Sequence, residues 1–232
     1  MAVAIITGAS RGFGRALATA LAERGWDLVL DARGAGPLED VAERLRKYGG
    51  TVTALSGDVA DGGHRVELIS AAWELGGLDL LVNNAGVLGA APLVPLERHA
   101  LNDFRSALEV NVVAPLGLLQ EALPLLRQAP AGAVVNMSSD AAAEAYRTWG
   151  AYGATKAALD QLSAVLAVEE PGLRVWAVDP GGMRTDMLAA AEPDEDLSGV
   201  PRPEDVVPAF LRLLDQRPAS GRYSAPSLLE AR

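Results

Sequence analysis

The stretch VAIITGASRGFG, residues 3–14, decides how the rest of this sequence is read. Val3–Thr7 is a short apolar run rich in β-branched residues, the pattern of a buried strand, and from Arg15 to Arg24 apolar residues recur at helical spacing. Between them, Gly8, Gly12 and Gly14 allow a sharp turn and a close approach of the backbone to a ligand. The helix that opens here presents unpaired N–H groups and the positive end of its dipole, which suits a pyrophosphate. The spacing is G-x-x-x-G-x-G, unlike the common G-x-G-x-x-G, and no Lys-Ser/Thr pair follows as in a P-loop, so triphosphate hydrolysis is disfavoured. A glycine turn alone is also consistent with a purely structural role. Its strand–turn–helix setting favours a dinucleotide cradle made by Gly8, Ser10, Arg11, Gly12, Phe13 and Gly14.

Working outward, the same alternation repeats. Apolar runs at Leu28–Ala32, Val52–Ser56, Asp79–Asn83, Ala133–Ser138 and Arg174–Asp179 read as further strands, with another near Arg222–Ala225. Helical spacing appears over Leu38–Lys47, His64–Leu75, Leu101–Val113 continuing to Gln128, and Tyr152–Glu169. Near-continuous apolar strands joined by helices predict an α/β fold: a doubly wound, Rossmann-like parallel sheet of about seven strands with helices on both faces. No repeat or linker divides the chain, so residues 1–232 are expected to form one domain. The composition shifts only around 186–203, which is rich in Ala, Glu, Asp and Pro. That segment is either a solvated loop with an acidic run at Asp194–Asp196 or a flap over a substrate.

The second strand ends at Asp31-Ala32-Arg33. An acidic residue at this tip binds the ribose 2′-OH of NAD, whereas an arginine can pair with the 2′-phosphate of NADP. Asp31 lies one residue short of the tip, and alternation points it away from the ribose. Arg33 and Arg11 then form a two-arginine clamp that favours NADP(H) over NAD(H), or are simply surface charges; geometry favours the clamp.

Composition narrows the partners. A formal charge of −10 argues against nucleic acid, whose phosphates reward neutralisation by Lys and Arg. There is no cysteine, which removes disulfides and thiolate metal sites and is compatible with a reducing, cytoplasmic setting. The opening residues read as a strand and not a signal peptide, and Val110–Leu126 is too short and too interrupted by Asn111, Pro115, Glu121 and Pro124 to span a membrane. His64 and His99 lie near helix starts without partners at metal-ligand spacing, and surface or capping positions are expected. No metal site is expected.

Tyr152 and Lys156 are one helical turn apart and so share a face. A neighbouring cation favours the phenolate and brings a tyrosine closer to useful acid–base chemistry. Such a pair is common on ordinary helix surfaces. Its surroundings set it apart: VVNMSS, residues 134–139, is a buried-strand pattern ending in hydroxyls at the sheet edge where doubly wound folds hold ligands. Ser139 can donate to a substrate carbonyl oxygen while Tyr152 delivers the proton. Arg147, in the intervening loop, is either a partner for an anionic substrate or a surface ion-pair former.

With these residues in view the chain resembles the short-chain dehydrogenase/reductase family nearly end to end. The landmarks are TGASRGFG at 7–14, Asp58-Val59, Asn83-Asn84-Ala85-Gly86, Asn111, Ser139, Tyr152 with Lys156, and Pro180 to Thr185, in that order. The resemblance implies hydride transfer between NADP(H) and a carbonyl or alcohol substrate. It implies Tyr152 as general acid or base, Lys156 as ribose ligand, Ser139 as orienter of the substrate oxygen and Asn111 as holder of a relay water. Asp58 and Val59 would contact the adenine, Asn84, Ala85 and Gly86 the ribose and backbone path, and Pro180, Gly181, Met183 and Thr185 the nicotinamide. It further implies a homodimer or homotetramer, formed across the helices of Leu101–Gln128 and Tyr152–Glu169. Ala142 and Asp140 depart from the usual pattern around the serine. A cofactor-binding regulator with little turnover is the alternative, against which the Asn–Ser–Tyr–Lys set argues. A sugar-nucleotide epimerase or dehydratase is disfavoured by the short C-terminal region. The substrate pocket is expected from Leu88–Leu93, Asp140–Trp149 and Met183–Val200.

Overall fold

A computed structural model describes residues 1–230. The elements run β1 (Val3–Ile6), α1 (Gly12–Glu23), β2 (Asp27–Ala32), α2 (Ala35–Arg46), β3 (Val52–Ser56), α3 (Gly62–Glu74) and β4 (Leu80–Asn83). Then follow α4 (Leu101–Leu108), α5 (Ala114–Leu126), β5 (Ala133–Met137), α6 (Gly150–Glu169), β6 (Arg174–Asp179), α7 (Asp186–Ala191), α8 (Pro203–Gln216), β7 (Gly221–Ser224) and α9 (Ala225–Glu230). The seven strands form one parallel sheet in the order β3-β2-β1-β4-β5-β6-β7. The winding reverses between β1 and β4, and the crevice beyond their C-terminal ends is where such sheets hold ligands.

Period-2 alternation divides the core into two layers. Ala4 and Ile6 of β1, with Leu28, Leu30 and Val82, face Leu17 and Leu21 of α1 and Phe210 of α8. Val3 and Ile5, with Val29, Leu81 and Val134, face Leu68, Leu118 and Leu166 on the opposite side. Both faces of β1, β2, β4 and β5 are buried, hence their lack of polar alternation.

The structure changes three expectations. The long helical pattern from Leu101 to Gln128 is broken by a wide π turn at Glu109–Val113, where the N–H of Ala114 bonds back to Glu109. Pro115 explains the break: it has no N–H to donate to the carbonyl of Asn111, four residues before it. His64 is neither a surface residue nor a cap. It is buried on α3, with Nε2 2.7 Å from Asp31 Oδ1, while Asp61 caps the helix by accepting from the Gly63 N–H. Gly57 makes the space, since a Cβ there would come 2.3 Å from the His64 ring. The 186–203 segment contains α7 and a 3-10 turn at Leu197–Gly199, the helix capped by the Thr185 hydroxyl. No described helix is long and apolar enough to cross a membrane.

Candidate active site

The glycine turn is held from beneath by β4. Thr7 Oγ1 accepts from the N–H groups of Asn84 and Ala85, and Asn84 Nδ2 donates to the carbonyls of Thr7 (2.7 Å) and Gly8 (3.2 Å). Gly8 and Gly12 have φ of +66° and +55°, which L side chains rarely adopt. At Gly14 a Cβ would lie 2.5 Å from the Gly8 carbonyl oxygen. The inner side of the turn is therefore closed. Above Gly12 the first atom a Cβ would meet is Thr185 Cγ2 at 3.6 Å, so a cradle opens between the α1 N-terminus and Thr185. Its glycine backbone and free N–H groups fit a pyrophosphate.

The other residues of the expected cofactor set take different positions. Ser10 is half-buried in the turn, but the Phe13 ring points into the core against Phe210, centroids 4.4 Å apart. Only the Phe13 backbone is left to face a ligand. Arg11 pairs with Asp186 of α7 at 3.0 Å, both side chains exposed, and Arg33 is exposed at the tip of β2. Asp58 is exposed and accepts from the Ala60 N–H, while Val59 is buried beside it. Gly86 packs against the catalytic candidates: a Cβ there would sit 3.3 Å from Asn111 Oδ1 and 3.7 Å from Lys156 Nζ.

Lys156 is buried and donates to the Met137 carbonyl at 2.7 Å, which ties α6 to the end of β5. Its Nζ is 5.5 Å from the centroid of the Tyr152 ring. Asn111 is also buried, and its side chain is fully engaged: Nδ2 donates to Val87 O and Thr155 Oγ1, and Oδ1 accepts from Val87 N. Thr155 in turn donates to the Tyr152 carbonyl at 2.7 Å. The Asn111 amide thus clamps the loop after Gly86 onto α6. Its backbone carbonyl lies four residues before Pro115, which has no N–H to donate to it.

Ser139 closes β5 as the cap of a 3-10 turn, Asp140–Ala142. Its Oγ donates to Asp140 Oδ1 at 2.9 Å, and Asp140 also accepts from Ala141 N and the Tyr146 hydroxyl. Arg222 of β7 donates to the Ser139 carbonyl at 2.8 Å. Burial, reinforced by the charges of Asp140 and Asp179, pushes the Tyr152 phenol well above its usual range. Burial also lowers Lys156 to about 8, against the opposing charge of Asp160. Burial first, and the two carboxylates after it, favour the protonated phenol. Asp179 is itself raised by burial, partly offset by the Gly181 N–H.

Asp179, Thr155 and Arg222 were not legible as site residues. Each is a common residue type whose relevance depends on which strands lie side by side.

Comparison with known proteins agrees with this arrangement. The family model for short chain dehydrogenase matches residues 2–196. The chain belongs to that family. Short-chain dehydrogenases are oxidoreductases, and the chain shares 33% identity with the oxidoreductase YciK of Escherichia coli, over 94% of this chain and 89% of that one. It shares 38% identity with rat sepiapterin reductase, covering 82% and 77% of the two chains. A short chain dehydrogenase from Shigella flexneri, solved in complex with NADP, superposes with a TM-score of 0.91 at 31% identity, covering 97% of each chain.

In this short-chain dehydrogenase a cavity of about 400 Å³ lies beside Ser139 and Tyr152. Leu88, Trp149, Met183 and, from α7, Met187 and Leu188 form its apolar walls; the Trp149 and Tyr152 rings meet edge to face at 5.6 Å. The expected pocket segments all contribute, but Arg147 is exposed and not part of the lining.

Proposed function

We propose that this oxidoreductase transfers hydride between NADP(H) and a carbonyl or alcohol substrate held in that cavity. The observation that carries the reading is convergence: Ser139 and Tyr152 line one cavity with Pro180, Gly181, Gly182, Met183 and Thr185, and Lys156 Nζ lies 5.5 Å from the Tyr152 ring centroid. When bound, the nicotinamide supplies or accepts the hydride. Tyr152 donates its proton to the substrate oxygen during reduction, a role suited to a phenol kept protonated by its surroundings. Ser139 orients that oxygen, while Lys156 and the Asn111 carbonyl carry the proton route to the interior.

Residues for the dinucleotide are those of the cradle: Gly8, Ser10, Arg11, Gly12, Gly14 and the Phe13 backbone, with Asp58, Val59, Asn84, Ala85 and Gly86 along the adenosine side. Pro180, Gly181, Met183 and Thr185 frame the nicotinamide end, beside Tyr152 and Lys156. Arg33 and Arg11 are the cations suited to a 2′-phosphate, and the NADP complex of the Shigella flexneri protein supports that preference. The Arg11–Asp186 pair joins the cradle to α7, consistent with residues 186–203 acting as a flap over both ligands. A cytoplasmic setting suits the cysteine-free composition. The test is NADPH and NADH consumption across aldehydes, ketones and quinones, with Tyr152→Phe as control. Turnover in the parent with equal turnover in the variant would overturn the assigned role of Tyr152.

A further inference from the structure

The cavity that receives the substrate has a charge pattern that selects among carbonyl compounds. Two carboxylates line it, Asp140 near Ser139 and Glu192 at the end of α7, and no lysine or arginine does. Asp140 is already committed, accepting from Ser139, Ala141 and Tyr146. Glu192 is not: its carboxylate has no hydrogen-bond or ion-pair partner among the described residues, and it shares the lining with Met187 and Leu188. A carboxylate beside apolar groups gains from a counter-charge more than one in open water, because the local dielectric is lower. Tyr146 and Trp149 add aromatic rings to the same lining, and aromatic rings attract organic cations.

Building on the hydride-transfer reading, we propose that the preferred substrate is a carbonyl compound, or its alcohol, with a positively charged amine or quaternary ammonium at its far end, received by Glu192. Asp140 and the aromatic rings strengthen the same selection. A substrate ending in a carboxylate or phosphate meets only like charge here and is rejected, which removes oxo acids and phosphate-bearing thioesters that place those groups in the cavity.

Two measurements on the full chain separate this proposal from the reading beneath it. The first is calorimetric binding, with and without NADP⁺, of an arylalkyl trimethylammonium ion and its uncharged tert-butyl isostere, neither bearing a carbonyl. The cation should bind roughly tenfold more tightly at low salt, and Glu192→Gln should bring it down to the isostere. Equal binding of the two probes, or a preference that survives Glu192→Gln in folded protein, overturns the proposal. The second is NADPH oxidation with a neutral methyl ketone and with its trimethylammonium counterpart. The expected result is a lower KM for the cation, with the advantage lost in Glu192→Gln. Turnover of the neutral ketone without that advantage refutes the substrate class and leaves hydride transfer standing. Absence of all turnover beside preserved cation binding refutes hydride transfer and leaves the pocket's selectivity standing.

Discussion

Asp140 stands immediately after Ser139, and its carboxylate reaches the serine hydroxyl and the field around Tyr152 at once. Like charge disfavours the phenolate, so removing it lowers the tyrosine pKa. Reduction requires the protonated phenol; Asp140→Asn should therefore move the alkaline limb of the reduction profile to lower pH, as read from kcat/KM against pH. An unmoved limb would mean that Asp140 does not act on Tyr152. Tyr152→Phe removes the proton donor itself and should cost about 10²–10⁴-fold in kcat with cofactor binding retained. Lys156 carries a stability prediction. Its folded pKa, about 8, lies below the ordinary 10.5, so between these values the unfolded chain binds more protons and folding stability rises with pH. The parent should accordingly gain on Lys156→Met, by at most about 3 kcal/mol, as pH is raised through that window, measured by denaturant unfolding.

Elements bring these residues together through close backbone contacts that leave no space for a side chain. Gly153 of α6 lies against the 3-10 turn after Ser139, and a Cβ there would come 2.4 Å from the Ala141 carbonyl oxygen. Gly153→Ala must push the helix bearing Tyr152 and Lys156 away from the serine. We expect a destabilisation of about 1–3 kcal/mol, seen in thermal unfolding, and a fall in kcat larger than the change in cofactor affinity. The π turn belongs to the same scale. Spacing alone suggested one continuous helix, because apolar periodicity records which face is buried and not how each carbonyl is bonded. Pro115 was visible, but its effect on Asn111 follows only from the geometry of the turn.

Across the whole molecule, the sheet's reversal between β1 and β4 places the glycine turn, Ser139 and the Pro180–Thr185 segment around one crevice. Coenzyme choice is tested at this scale: Arg33→Ala should raise KM for NADPH while leaving that for NADH little changed, which narrows the preference for NADPH in steady-state kinetics. Assembly is another property of the whole surface. Leu101 of α4, Val113 beside α5, and Val165 and Val168 of α6 are exposed apolar residues on or beside the helices expected to pack across a two-fold axis. Light scattering should give a dimer or tetramer of the 24.1 kDa chain, and a monomeric mass would remove that expectation.

The sequence by itself determined the doubly wound sheet, since strand and helix periods alternate without interruption and leave few topologies to consider. It also marked the glycine turn, Ser139, Tyr152 and Lys156, because their chemistry lies in local spacing. Only the tertiary structure decided what surrounds them. The His64–Asp31 pair, the Asn84 strut beneath the turn and the Asp140–Ser139 hydrogen bond join residues that spacing does not relate or gives no reason to pair. Such contacts depend on which strands are neighbours and how closely glycine lets them approach, and three-dimensional packing sets both.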